Sequence, residues 1–264
     1  MNLEEFEGHW AVVTGASAGI GREFTEQLAR RKVNVVLVAR RGVLLDALAM
    51  GLRQSEGVQV RTLALDLAES DSAATLTQFL TEHSIAPKLL VNNAGVGHWG
   101  RFEGADAHAY RRLLSVNAMA TMQTCLALFP ILSTQRPSAI INLSSQATFQ
   151  PMPFMAAYAA SKAFVHHLSL ALYEEWREHG IYVQTLVPGP TATEFDALAG
   201  AYPTQLTAER DPPSKTVTAS LLAFESEDPL VISASGTVVQ QLFAALAPTR
   251  MVLDKVGQMF RPPA

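Results

Sequence analysis

His9-Trp10-Ala11-Val12-Val13-Thr14-Gly15-Ala16-Ser17-Ala18-Gly19-Ile20-Gly21 is the stretch that decides the fold of this chain. A short apolar run ends in a glycine-rich turn, and residues 22–30 continue with helical periodicity. Strand, tight turn and helix in that order open a dinucleotide-binding unit. Gly15 permits the turn, Gly19 lets the backbone approach a pyrophosphate, and Gly21 lets the helix pack closely on the strand. The helix N-terminus then offers free N–H groups and the positive end of its dipole to the phosphates, with Ser17, Ala18 and Ile20 on the same turn. The spacing is Gly-x3-Gly-x-Gly rather than Gly-x-Gly-x2-Gly, so a glycine turn without a ligand is the alternative.

Further apolar runs follow. A second strand over residues 33–39 is succeeded by Arg40 and Arg41, where a cofactor with a free ribose 2′-hydroxyl would call for an Asp or Glu. A guanidinium binds a 2′-phosphate through two parallel hydrogen bonds, and a carboxylate would repel it. Arg40, supported by Arg41, therefore points to NADP(H); two arginines opening a solvated helix are the alternative. A third strand over residues 60–65 leads into Asp66 and Leu67, where the acid can meet an adenine edge or cap the next helix. The fourth strand, residues 88–91, runs into Asn92-Asn93-Ala94-Gly95, small residues suited to a ligand lying across the sheet. The fifth, residues 139–143, ends in Ser144-Ser145.

Thirteen residues after Ser145 comes Tyr158-Ala159-Ala160-Ser161-Lys162. Four residues apart on a helix, Tyr158 and Lys162 share one face. An ammonium beside a phenol favours the phenolate and moves its pKa down toward the working range. The pair is an acid/base device for a carbonyl or alcohol oxygen, and Ser145 could hydrogen-bond the same oxygen. Asn117, an amide among apolar neighbours, needs a partner if buried.

These segments, together with Pro188-Gly189-Pro190-Thr191-Ala192-Thr193, resemble the short-chain dehydrogenase/reductase family, specifically its classical, NADP-preferring branch. The resemblance spans about residues 8–195. It implies that Tyr158 is the general acid in reduction and the general base in oxidation. It further implies that Lys162 lowers the Tyr158 pKa and holds the nicotinamide ribose, and that Ser145 orients the carbonyl. Asn117 would hold a water for proton relay, a helix-kinking role being the alternative. Gly15, Ser17, Ala18, Gly19, Ile20, Gly21, Arg40, Arg41, Asp66, Leu67, Asn93, Ala94, Gly95, Tyr158, Lys162, Pro188, Gly189, Thr191 and Thr193 would hold the cofactor. Either Thr191 or Thr193 meets the nicotinamide carboxamide or the pyrophosphate. Two departures stand out: Pro190 stiffens its loop, and Ala18 occupies a place where some NADP-dependent members carry a basic residue.

At 264 residues, with strand and helix patterns alternating, the expectation is α/β: a Rossmann-like, doubly wound parallel sheet of about seven strands in one domain. Residues 8–195 form the cofactor-binding and catalytic core, and 196–264 a substrate flap and C-terminal elements. A net charge of −4 gives no basic stripe for nucleic acid. A single cysteine, Cys125, excludes an internal disulfide and suits the cytoplasm. No secretory signal is read at the N-terminus. Residues 113–135 carry no formal charge over a length that could cross a bilayer. Asn117, Gln123 and Pro130 within them argue for a buried helix and no integral span. That helix and residues 164–176 are the candidate contacts of a homodimer or homotetramer. The amphipathic tail, residues 251–260, would pack on the domain, a partner subunit or a membrane surface.

Loops expected to face the nicotinamide carry His98, Trp99, Phe149, Met152, Phe154, Met155, Phe195 and Tyr202, a mostly apolar wall. The leading expectation is an NADP(H)-dependent enzyme interconverting a lipophilic ketone and a secondary alcohol. The alternatives are a 3-oxoacyl thioester reductase and, from another class, a non-catalytic NADP-binding sensor or interaction module.

Overall fold

The computed structural model describes residues 1–201 and 209–262. Strands β1 (Trp10–Thr14), β2 (Asn34–Ala39), β3 (Val60–Ala64), β4 (Pro87–Asn92), β5 (Ser138–Leu143), β6 (Ile181–Val187) and β7 (Leu230–Ile232) form one parallel sheet. Their order is β3-β2-β1-β4-β5-β6-β7. The run of strand order reverses between β1 and β4, which opens a crevice at their carboxyl ends, where ligands of such sheets bind. The register is regular; Val12 lies beside Val36 on one side and Leu90 on the other.

Every residue of β2, β4, β5 and β6 is buried, as expected for parallel strands covered on both faces. On one face α1 (Gly19–Arg30), α2 (Gly42–Glu56) and α8 (Pro213–Leu222) bring Phe24, Leu28, Leu45, Val217 and Leu221 onto Val13, Val35 and Ile141. On the other, α3 (Ser72–Glu82) and α5 (Ala120–Leu132) bring Leu76, Leu80, Cys125 and Leu128 onto Val12, Leu90 and Ile140. A third cluster gathers beyond the carboxyl ends of the strands, where α10 (Thr249–Phe260) buries Val252 and Val256 against Trp99, Met152 and Met155.

Helix α4 (Ala107–Leu114) runs through one π-helical turn, Ser115–Met119, into α5. The combined helix Ala107–Leu132 is long and apolar enough to cross a membrane, and 44% of its most apolar window is buried within the protein. Helix α6 (Ala156–Glu175) buries Tyr158, Lys162, Val165 and Ser169. The expected flap begins instead with a short helix, α7 (Phe195–Leu198), and Tyr202 lies outside the described residues. The tail packs on the domain as α10, following α9 (Ser235–Leu246); its exposed side keeps Met251 and Met259 in solvent.

Candidate active site

A cavity of about 1040 Å³ follows the carboxyl ends of the first six strands. Every expected site residue lines it except Gly21 and Asn117, which stand behind the wall. Gly15 and Gly21 show why. Gly15 has φ +66°, and a Cβ there would sit 2.6 Å from Asn93 Nδ2; one on Gly21 would collide with the Gly15 carbonyl. The turn can therefore fold under the start of α1 only as glycine. The α1 N-cap is Ala18, which makes no side-chain capping bond, so the first amides of the helix remain available to an anion at the cavity. Asn93 locks the turn from β4 by donating to the Thr14 carbonyl at 2.8 Å. These features fit a dinucleotide pyrophosphate.

At the adenosine end Arg40 is exposed and lines the cavity, with no side-chain hydrogen bond or ion pair among the described residues. Arg41 is engaged: Nε and Nη2 donate to Ser17 Oγ at 3.2 and 3.0 Å, and Nη1 donates to Glu194 Oε2 at 2.9 Å. Its expected support of Arg40 thus competes with a carboxylate. Asp66 does not cap α3, whose N-cap is Asp71. It accepts from the Ala68 amide at 3.0 Å and from Arg112 Nη2 at 2.7 Å. Burial opposes its charge, but the Ala68 amide, Arg112 and the charge of Arg40 hold its carboxyl below the ordinary value.

Tyr158, Lys162 and Ser145 meet in the cavity, 8%, 5% and 9% exposed. Ser145 caps a short 3₁₀ turn, Gln146–Phe149, by accepting from the Ala147 amide at 3.2 Å, which fixes the hydroxyl at the end of β5. Lys162 Nζ donates to the Leu143 carbonyl at 2.8 Å, and Ser144 Oγ donates to the Lys162 carbonyl at 3.0 Å. Helix α6 is therefore pinned to the end of β5. Burial raises the Tyr158 phenol to about 12, its hydrogen bond with Ser145 opposes the rise, and the charge of Asp196 adds to it. Burial also lowers the Lys162 ammonium to about 8. Desolvation is thus the largest influence on both groups, moving the phenol up and the ammonium down.

Asn117 is fully buried in the π-helical turn. It accepts from the Val96 amide and donates to the Val96 carbonyl, both at 2.9 Å, and donates to Ser161 Oγ at 3.0 Å. Both of its N–H groups are used, which makes it a clamp between the loop after β4 and α6.

In the loop after β6, Thr191 Oγ1 donates to the Gly189 carbonyl at 2.9 Å. Thr193 lies over the glycine turn, its methyl 2.9 Å from where a Gly19 Cβ would stand. Of the expected wall, Trp99, Met152, Met155 and Phe195 line the cavity; His98, Phe149 and Phe154 do not. Sequence reasoning did not find Glu194 or residues 258–261 as lining groups, nor the Asp196–Arg210 ion pair at 2.6 Å. The apolar tail was the available signal for Met259 and Phe260.

The family model described as short chain dehydrogenase matches residues 9–201. The very-long-chain 3-oxoacyl-CoA reductase of Neurospora crassa is 34% identical over 193 residues, covering 70% of this chain and 58% of the relative. The chain thus matches less than two thirds of that relative's length. Among solved structures, a short-chain dehydrogenase from Sphingobium yanoikuyae in complex with NADPH is 34% identical with a TM-score of 0.82, covering 94% of this chain and 95% of that one. The bulky-bulky ketone specific alcohol dehydrogenase from Comamonas testosteroni is 31% identical with a TM-score of 0.77, covering 90% and 92%. By fold, by the lined cavity and by this match, the chain belongs to the short-chain dehydrogenase family.

Proposed function

We propose that the protein is an NADP(H)-dependent oxidoreductase that interconverts an apolar ketone and its secondary alcohol. The observation that carries this reading is the convergence of Tyr158, Ser145 and Lys162 in one cavity with the glycine turn and Arg40. Gly15, Gly19 and the start of α1 would hold the pyrophosphate, Thr193 beside it. Arg40 would take the 2′-phosphate, and Lys162 and Thr191 would face the nicotinamide end. When bound, the reduced cofactor supplies a hydride to the carbonyl carbon. Tyr158, protonated at neutral pH with its phenol near 12, donates its proton to the carbonyl oxygen. Ser145 hydrogen-bonds that oxygen. The Lys162 ammonium, charged below about 8, stabilises the phenolate left behind.

The Sphingobium structure with NADPH and the absence of a carboxylate after β2 support NADP(H) over NAD(H). The similarity to a very-long-chain 3-oxoacyl-CoA reductase favours a second reading, in which the ketone is a 3-oxoacyl thioester. The exposed apolar residues Leu126 and Phe164, at 69% and 40%, support a homo-oligomer built on α5 and α6, with Ala107–Leu132 a core helix. The buried lone thiol Cys125 fits the cytoplasm.

NADPH oxidation against ketones, aldehydes and 3-oxoacyl thioesters, with Tyr158→Phe beside wild type, tests the reading. A Tyr158-dependent rate is expected. Equal rates for the two proteins, or none on any compound despite NADPH binding, would refute it.

A further inference from the structure

Trp99 stands where the loop after β4 meets three other segments. Its indole Nε1 donates to the Phe260 carbonyl at 3.1 Å, and the two rings lie 4.8 Å apart. Its own amide donates to the Ala199 carbonyl at 2.7 Å, and the next amide, of Gly100, donates to the Phe154 carbonyl at 2.9 Å. Gly97 lies so close to Phe195 and Ala199 that a Cβ would stand 2.7 and 2.8 Å from them. The α10 helix reaches this point held by buried Val252 and Val256, and it ends with Phe260 lining the same cavity as Tyr158, Met152, Met155 and Phe195. The Tyr158 and Phe195 rings are 5.2 Å apart, so this apolar wall begins beside the reacting oxygen. The nearby Asp196 and Arg210 neutralise one another.

From this arrangement we infer that Trp99 is a positioning residue that fastens the end of α10 across the substrate side of the cavity, and that Phe260 selects bulky apolar ketones there. The inference rests on the ketone-reductase reading and adds the residues that choose the substrate. An aromatic ring facing a pocket discriminates by contact area, so compounds too small to reach Phe260 gain nothing from it.

The test is steady-state reduction of a ketone series of rising bulk, from acetone through acetophenone to a diaryl ketone, by wild type, Phe260→Ala, Phe260→Leu and Trp99→Phe. NADPH dissociation constants are measured in parallel. Phe260→Ala is expected to raise KM about tenfold more for the largest ketone than for acetone, the effect falling on KM rather than on kcat or the NADPH dissociation constant. Phe260→Leu should recover part of the loss. Trp99→Phe keeps the ring and drops the N–H donor, so it should show the same size-graded change in weaker form. A change uniform across the series, a lower KM for the large ketones, no change, or weakened NADPH binding would overturn the inference. If wild type reduces none of the series, the ketone-reductase reading falls first and this inference with it.

Discussion

Lys162 is both the partner of Tyr158 and a cation buried to 5% exposure, and that burial has a measurable energetic consequence. Its ammonium falls from the ordinary 10.5 to about 8 through desolvation. At about 1.4 kcal/mol per pH unit, holding the charge in the folded protein costs about 3 kcal/mol. The sign follows from proton counting. Between about 8 and 10.5 the unfolded chain binds more protons at this residue than the folded one, so stability rises with pH across that window. Below it the penalty is present in full. Lys162→Met removes the charge and keeps the chain length, but leaves the Leu143 carbonyl without the donor it has at 2.8 Å, a loss of about 1 kcal/mol. The variant should therefore be more stable than wild type by about 2 kcal/mol at neutral pH. That advantage should shrink and reverse toward the upper end of the window. Taking the difference between the two proteins cancels other titrations common to both, including the raised Cys125 thiol. Urea unfolding of cofactor-free wild type and variant at half-unit steps from pH 6.5 to 10 is the assay. Stability curves that run parallel through the whole range would refute the reasoning, because they would mean that Lys162 folds with no change in its proton affinity.

Three further outcomes are expected. Arg40→Asp should raise the NADPH dissociation constant by about a hundredfold, from loss of a charge-assisted pair and a new repulsion, with an NADH change of only a fewfold; equal changes in fluorescence titrations would remove Arg40 from the 2′-phosphate. Glu194→Gln breaks an exposed ion pair, so unfolding stability should shift by less than about 0.5 kcal/mol, while NADPH should bind a fewfold tighter as Arg41 is released; weaker binding would contradict this. Asn117→Ala strands both polar groups of Val96 and removes the bond that Ser161 Oγ accepts, and should cost about 3 kcal/mol in urea unfolding; a loss under about 1 kcal/mol would mean that water replaces the amide.

The reductive rate carries a pH signature of the same origin. If the Lys162 ammonium stabilises the phenolate that Tyr158 becomes, kcat/KM for ketone reduction should fall as pH rises through about 8, where that ammonium discharges.

Local signals carried the sheet and much of the candidate site. The strand–glycine turn–helix of residues 10–30 and the fully buried runs of β2, β4, β5 and β6 are contiguous in sequence, so composition alone exposes them. Tyr158 and Lys162 share a helix face for the same reason. What stayed hidden depends on tertiary contact. Arg41 and Glu194 are 153 residues apart, and Trp99 and Phe260 are 161 apart; no local pattern announces either meeting. Neighbours in a loop also part company. His98 and Trp99 are adjacent in a loop expected to face the nicotinamide, yet Trp99 lines the cavity while His98 stacks edge-on against Tyr110 at 5.5 Å. Spacing shows that Tyr158 and Lys162 share a helix face and says nothing of how much water each loses on burial, which is the largest influence on both.

The π-helical turn Ser115–Met119 shows how these hidden contacts serve chemistry. It contains neither glycine nor proline, so nothing local marks it, and the wider turn must be held by what it touches. Asn117 supplies that hold through three hydrogen bonds, two to Val96 and one to Ser161. Ser161 in turn donates to the Tyr158 carbonyl at 2.7 Å, and a Cβ on Gly95 would stand 3.5 Å from Lys162 Nζ and 3.6 Å from Asn117 Oδ1. One buried amide thus sets the loop after β4 and the helix bearing Tyr158 and Lys162 at a fixed separation. Misplacing that helix by an ångström would cost a reaction about a hundredfold, so the energy spent on burying Asn117 among satisfied partners is repaid in alignment. An Asn117→Ala protein that still folds should accordingly lose kcat more than it loses NADPH affinity; a loss confined to binding would assign the clamp to the cofactor loop alone.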